Sequence, residues 1–167
     1  MRPPLLPAWE SPGMDAGHDA LGFLTPERVR GHFDRAVAHW NAGAFFEAHE
    51  DWETIWHEAE GARREWLQGL IQLAAAFVHL GRDNASGLVK LMRSAAAKAG
   101  GYGGDTAGID FVGFWRDVAP WLVHAERVAG GPPLRAGAPP GPTLRYLPGV
   151  TPVPRPPEPD ASDDADA

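Results

Sequence analysis

Between about Ala20 and Gly131 the apolar residues return every three to four positions, and nowhere in that stretch do apolar and polar residues alternate over the length of a strand. A side-chain period near 3.6 lays apolar groups along one stripe of a helix, whereas a half-buried sheet requires a period of two. This periodicity restricts the chain to an all-α fold. Glycine-containing breaks divide it into segments whose stripes must cover one another, which predicts a single compact bundle of about five helices. A length of 167 residues suits one ordinary core, and seven tryptophans supply large surfaces to fill it.

Capping chemistry places the segments. Thr25-Pro26-Glu27 combines an N-cap hydroxyl, a proline at the first helical position and an acid in the first turn, so a first helix begins there and ends at Asn41-Ala42-Gly43. A second helix is expected from about Phe45 to Ala59, stopping near Gly61. The third, Ala62 to about Leu80, is the most apolar and is expected at the centre. The fourth carries Leu88, Leu91, Met92 and Ala95 and ends at Gly100-Gly101. After a glycine-rich loop, Asp110 is a suitable N-cap for a fifth helix that Pro120 should kink or divide.

Outside this domain proline and glycine dominate. Residues 1–19 are expected to be a flexible N-terminal tail, residues 20–131 the bundle, and residues 132–167 a proline-rich, acidic and disordered C-terminal tail. Within that second tail only Leu144-Arg145-Tyr146-Leu147 has the apolar content to dock. Much of the net charge of −7 resides there, in Glu158, Asp160, Asp163, Asp164 and Asp166.

Composition excludes several chemistries. There is no cysteine, hence no disulfide, zinc-thiolate site, iron–sulfur cluster or thiol nucleophile. No basic face beyond the pair Arg63-Arg64 offers itself to phosphates, so no nucleic-acid partner is expected. The most apolar run, Leu70 to Leu80, is about half a bilayer span, so no membrane association is expected. The N-terminus lacks a continuous apolar region and does not read as a secretion signal, which leaves a cytoplasmic location as the expectation. Phosphate-loop, dinucleotide and serine-hydrolase patterns are missing.

One helix does carry candidate chemistry. Advancing about 100° per residue along Phe45 to Ala59 gathers Ala48, Trp52, Ile55, Trp56 and Ala59 on the core face. His49 and Glu53, an i,i+4 pair, lie at its margin; Glu50 and His57 fall further round beside Phe46, and Glu47, Asp51 and Glu58 are expected to form a solvated face. The acids from Glu47 to Glu60 meet no lysine or arginine between Ala36 and Ala62. Neutralisation must come from water, another helix or a cation, with Arg63, Arg64, Lys90 and Arg93 available. On the third helix Arg64, Gln68, Gln72, Ala75 and His79 share one arc. That arc is either a solvent stripe or one wall of a cleft facing His49 and Glu53.

The candidate pocket is therefore His49, Glu50, Glu53, Trp56, Arg64, Gln68, Gln72 and His79. The preferred reading is a binding or interaction protein with this polar cluster between the second and third helices, and a protein partner or a homo-oligomer as its complement. A second reading is a metal-dependent, hydrolase-like enzyme: His49, Glu53 and His79 hold a divalent ion such as Zn, Fe or Mn, and Glu50 acts as base on its bound water. Neither His-Glu-x-x-His nor a repeated Glu-x-x-His is present to support it. A third reading follows from helical hairpins that recur at an offset of about 40 residues, meeting at Gly43 and near Gly81 to Asn84. These resemble the tetratricopeptide class of peptide-binding scaffolds.

The stretches Trp40-Asn41-Ala42-Gly43-Ala44-Phe45-Phe46-Glu47-Ala48-His49-Glu50 through Trp56, and Trp66-Leu67-Gln68-Gly69-Leu70-Ile71-Gln72-Leu73-Ala74-Ala75-Ala76, resemble the signature of the domain-of-unknown-function 309 family, as does Gly108-Ile109-Asp110. The likeness extends from the first helix to the start of the fifth. It implies a small prokaryotic all-helical fold and no assigned activity, with Glu47, His49, Glu50, Trp56, Gln68 and Gly69 as pattern residues without roles. Position 52 is Trp where an aliphatic residue is expected, and the proline-rich tail lies outside the pattern.

Overall fold

Residues 27–101 and 106–152 are described by a computed structural model. The elements are α1 (Glu27–Asn41), α2 (Phe45–Trp56), α3 (Gly61–Gly81), α4 (Ala85–Ala99), a short 3-10 turn (Thr106–Gly108) and α5 (Phe111–Val128). No strand occurs among the described residues, where an isolated bridge joins Ile109 to Tyr146. The all-α bundle is thus as the periodicity requires. The first-helix cap at Thr25 and Pro26, the tail 1–19 and the acidic end lie outside the described residues.

Two turns share one backbone solution. At the end of α1, Ala44 N donates to His39 O and Gly43 N to Trp40 O; at the end of α3, Asn84 N donates to His79 O and Asp83 N to Leu80 O. Each is a Schellman closure, which needs a left-handed residue at its hinge. Gly43 adopts this at φ 78°, and Asp83 adopts it at φ 53° despite its Cβ. The two hairpins recognised in the sequence therefore turn in the same way. Asn84 caps α4 through Gly87 N at 2.9 Å, and Asp110 caps α5 through Gly113 N at 2.9 Å.

One helix expectation is corrected and another is narrowed. α2 ends at Trp56 instead of Ala59: Glu58 N and Ala59 N bond to carbonyls three residues back, tightening the chain so that Ala59 still reaches the core. α5 is not divided, since it runs through Pro120 as one helix. Its apolar stripe, buried on both sides of the proline from Phe111 to Val128, holds the element together across the missing hydrogen bond.

The bundle is layered in chain order, with α3 between α2 and α4, α1 against α2 and α5 against α4. Aromatic side chains close it. Phe33 of α1 stacks on Trp66 of α3 at 5.7 Å, Trp66 meets Phe111 edge-on, and Trp40 contacts Phe77 and Phe114 at 5.2 and 5.4 Å. These contacts bring the first and last helices to one core. The close approach of α3 to α4 depends on Gly69, where a Cβ would lie 2.5 Å from that of Ala99.

The largest departure from the sequence reading concerns residues 132–152. The expectation of a disordered tail from residue 132 fails here, because this segment lies along the bundle as a strap with Leu134 and Leu144 buried. The apolar anchors are few. The strap is held chiefly by its own peptide groups, which bond to side chains of the helices, and composition does not reveal such bonds. Docking at Leu144 and Tyr146 does follow the sequence expectation.

Candidate functional site

The charge that α2 needs comes from α1. Asp51 is 4 % exposed, and its Oδ1 accepts from Arg35 Nε at 2.8 Å and Nη2 at 2.5 Å, with His32 Nδ1 at 3.4 Å. Its Oδ2 faces His39 Nε2 at 3.5 Å. His32, Arg35 and His39 are three to four residues apart on α1, so one helical face delivers all three to a single carboxylate. Beside them Glu47, Glu50 and Thr54 complete a cleft of about 230 Å³ between α1 and α2.

This corrects the assignment of Asp51 to a solvated face. Asp51 sits about 40° beyond the apolar arc of α2, and α1 covers that flank. A carboxylate this deeply buried requires a hydrogen-bonded cation, and Arg35 is one residue outside the window in which no cation was found. Arg28 likewise pairs with Glu58. Of the cations named from the sequence, Arg93 pairs with Glu126 of α5.

The predicted pocket is dispersed. His49 Nδ1 and Glu53 Oε2 face each other at 3.6 Å, Glu53 lies 3.9 Å from His57, and Arg64 covers the Trp56 ring at 3.9 Å. His49 also stacks on Phe46, which is 56 % exposed. These side chains form one ladder along the outer edge of α2. Trp52 Nε1, Trp56 Nε1 and His49 Nδ1 are buried atoms without a hydrogen-bond partner among the described residues.

Glu50 belongs to the α1–α2 cleft instead. Gln72 accepts from Ser94 Oγ of α4 at 2.9 Å, and His79 approaches Asn84 at 3.1 Å in the α3–α4 turn. Gln68 is half-buried on the same helix. A stripe on one helix is long: Arg64 and His79 are separated by about 22 Å along the axis at 1.5 Å per residue. It therefore serves different neighbours at its two ends. The set His49, Glu53 and His79 is not assembled, and among the described residues no three His, Cys, Asp or Glu side chains form a group able to hold a metal ion.

The segment holding α2, its cleft and the α3–α4 hairpin has a recognisable identity. The model of the Domain of unknown function (DUF309) matches residues 33–91. Over residues 33–91 the chain is similar to the DUF309 family. The match runs from Phe33 in α1 to Leu91 in α4, so Gly108-Ile109-Asp110, α5 and the strap lie beyond it. No curated protein and no solved structure matches the chain. Within the DUF309 segment, Glu47 and Glu50 line the cleft, Trp56 supports Arg64, and Gly69 admits α4.

Sequence reasoning missed His32, Arg35 and His39. The signal was present as an i, i+3, i+7 polar stripe on α1, opposite the stripe of Val29, Phe33, Val37 and Trp40. Its partner was not legible, since pairing α1 with the Asp51 flank depends on how the two helices cross. Among the described residues no helix is long and apolar enough to cross a membrane.

Proposed function

We propose that this small helical-bundle protein works by binding, with α2 as its recognition helix and the α1–α2 cleft as the place where a protein partner inserts a positively charged group. The observation that carries this reading is the cleft itself, in which three carboxylates, Glu47, Glu50 and Asp51, meet one guanidinium, that of Arg35, with the imidazoles of His32 and His39 gathered on Asp51 alone. Asp51 Oδ1 is occupied by Arg35 and His32, while Oδ2 has the distant His39 ring as its neighbour. Among the described residues no ion pair joins Glu47 or Glu50. A lysine or arginine side chain from a partner supplies the donors that these oxygens accept. The exposed Phe46, one helical turn before Glu50 on α2, offers such a partner an aromatic contact.

Calorimetric titration of the full chain with a lysine- and arginine-bearing peptide, and with the same peptide carrying glutamates instead, tests this. Supporting results are preference for the cationic peptide, weakening by salt, and a further loss of about three- to tenfold in Glu50→Gln. Equal affinity for both peptides, or binding unchanged by Glu50→Gln, refutes it.

A further inference from the structure

We propose that the groove between the end of α1 and α5 is a recognition site for proline-rich extended peptide, and that the chain's own residues 138–147 occupy it as a tethered ligand that a proline-rich segment of a partner protein displaces. This is independent of the α1–α2 cleft, which lies on the opposite flank of α1.

The manner of attachment carries the argument. Trp121 Nε1 donates to Pro140 O at 2.9 Å and Trp40 Nε1 donates to Pro142 O at 2.8 Å. Asn41 then grips both backbone polar groups of Leu144, accepting from its N at 2.9 Å and donating to its O at 2.8 Å. Between Pro139 and Leu144 the described hydrogen bonds all run to side chains of α1 and α5. Secondary structure satisfies backbone with backbone; a bound peptide has its backbone satisfied by the receptor.

The chemistries match. An indole N–H only donates, and a proline residue offers only its carbonyl. A groove wall of two indoles therefore suits a ligand rich in acceptors and poor in N–H groups, since other residues bring donors that need partners when buried. Proline also holds φ near −65° and keeps the preceding residue extended, so Ala138-Pro139-Pro140-Gly141-Pro142 pays little ordering entropy on docking. Aromatic-lined grooves recognise proline-rich segments by these means in general. The recognised pattern is Pro-Pro-x-Pro-x-Leu, with Leu144 as the buried apolar anchor at 2 % exposure.

Beyond the anchor, an edge-like pairing and a latch end the contact. Asp110 N donates to Arg145 O and Leu147 N to Gly108 O, both at 2.9 Å. Tyr146 Oη donates to Asp34 at 2.7 Å. Upstream, the connection leaves α5 through exposed residues 129–133, touches down at Leu134 on Asp83 and His124, and is exposed again over residues 135–137. Such a short tether gives the strap an effective concentration of about millimolar, so a peptide from another chain competes only when the strap is weakened or the peptide is abundant.

The test uses the full chain with Leu144→Asp and Tyr146→Ala, which opens the strap without altering the groove, titrated with a fluorescent peptide of residues 138–150. The expected result is saturable binding to the opened variant, at least tenfold weaker binding to the unaltered chain, and a further loss of about three- to tenfold when Trp121→Phe is added to the opened variant. Failure of a folded opened variant to bind, or binding indifferent to Trp121→Phe, overturns the proposal. Hydrogen exchange on the unaltered chain provides a readout that does not depend on that variant folding. The amides of Leu144 and Leu147 should exchange at least tenfold faster than those of Leu70 and Leu73 in α3, and equal protection overturns the proposal by making the strap part of the core.

Discussion

Replacing Gly69 with alanine sets two well-characterised effects against each other, and the geometry decides between them. Alanine is the better helix former by about 0.5–1 kcal/mol in a helix interior. Against that, the added methyl would lie 2.5 Å from Ala99 Cβ, 2.9 Å from Ala99 N and 3.0 Å from Ala95 O. Carbon atoms pack best at about 3.5–4.0 Å, so α4 must retreat by about 1 Å. Two of the three obstructing atoms are backbone, and rotamer changes cannot relieve them. The α3–α4 pair is also the most extensively packed in the bundle, so the retreat is felt along its length. Overpacking costs about 1–3 kcal/mol, and backbone obstruction puts this case in the upper half of that range, which leaves Gly69→Ala destabilised by about 1–2.5 kcal/mol after the propensity gain. Urea denaturation should show a lower midpoint with an unchanged slope. Adding Ala99→Gly removes one of the three obstructions, so the double variant should regain part, and not all, of the loss beyond what the two single changes sum to. A Gly69→Ala protein as stable as the parent, or more stable, would refute the reasoning and show that the helices separate at little cost.

Other consequences follow from the same contacts. Asp51→Asn keeps the shape of the side chain but leaves Arg35 without its buried counter-charge, and should lose about 2–3 kcal/mol in chemical denaturation; a change below about 0.5 kcal/mol contradicts the burial argument. Removing both charges together, with Arg35→Leu and Asp51→Leu, should cost less than Asp51→Asn alone, because the desolvation cost of the pair disappears along with its attraction. Burial, and then the hydrogen bond to Asp34, push the Tyr146 hydroxyl above its ordinary pKa. A group whose folded pKa is raised contributes stability that is complete below its unfolded value near 10 and is lost as the pH climbs towards the folded value. The stability advantage of the parent over Tyr146→Phe should therefore be constant from pH 7 to about 9 and shrink above about 10; an advantage that grows with alkalinity disproves the assignment.

What the sequence determined by itself was local: the helical period, the cap at Asp110, the end of α1 near Gly43 and the central place of α3 all follow from spacing and backbone chemistry. The His49–Glu53 approach was equally legible, being an i,i+4 relation within one helix. Tertiary structure decided everything that depends on which helix lies beside which. It drew Asp51 from a supposed solvent face into a buried ion pair with Arg35, and it sent Gln72 to α4 and His79 to the α3–α4 turn. It also turned residues 132–152 from an expected tail into a strap. The physical reason is common to all three. Helical periodicity records only the apolar surface a segment must bury, whereas polar pairing and backbone capture across more than a hundred residues, as between Trp40 and Pro142, depend on directional bonds that no local pattern encodes.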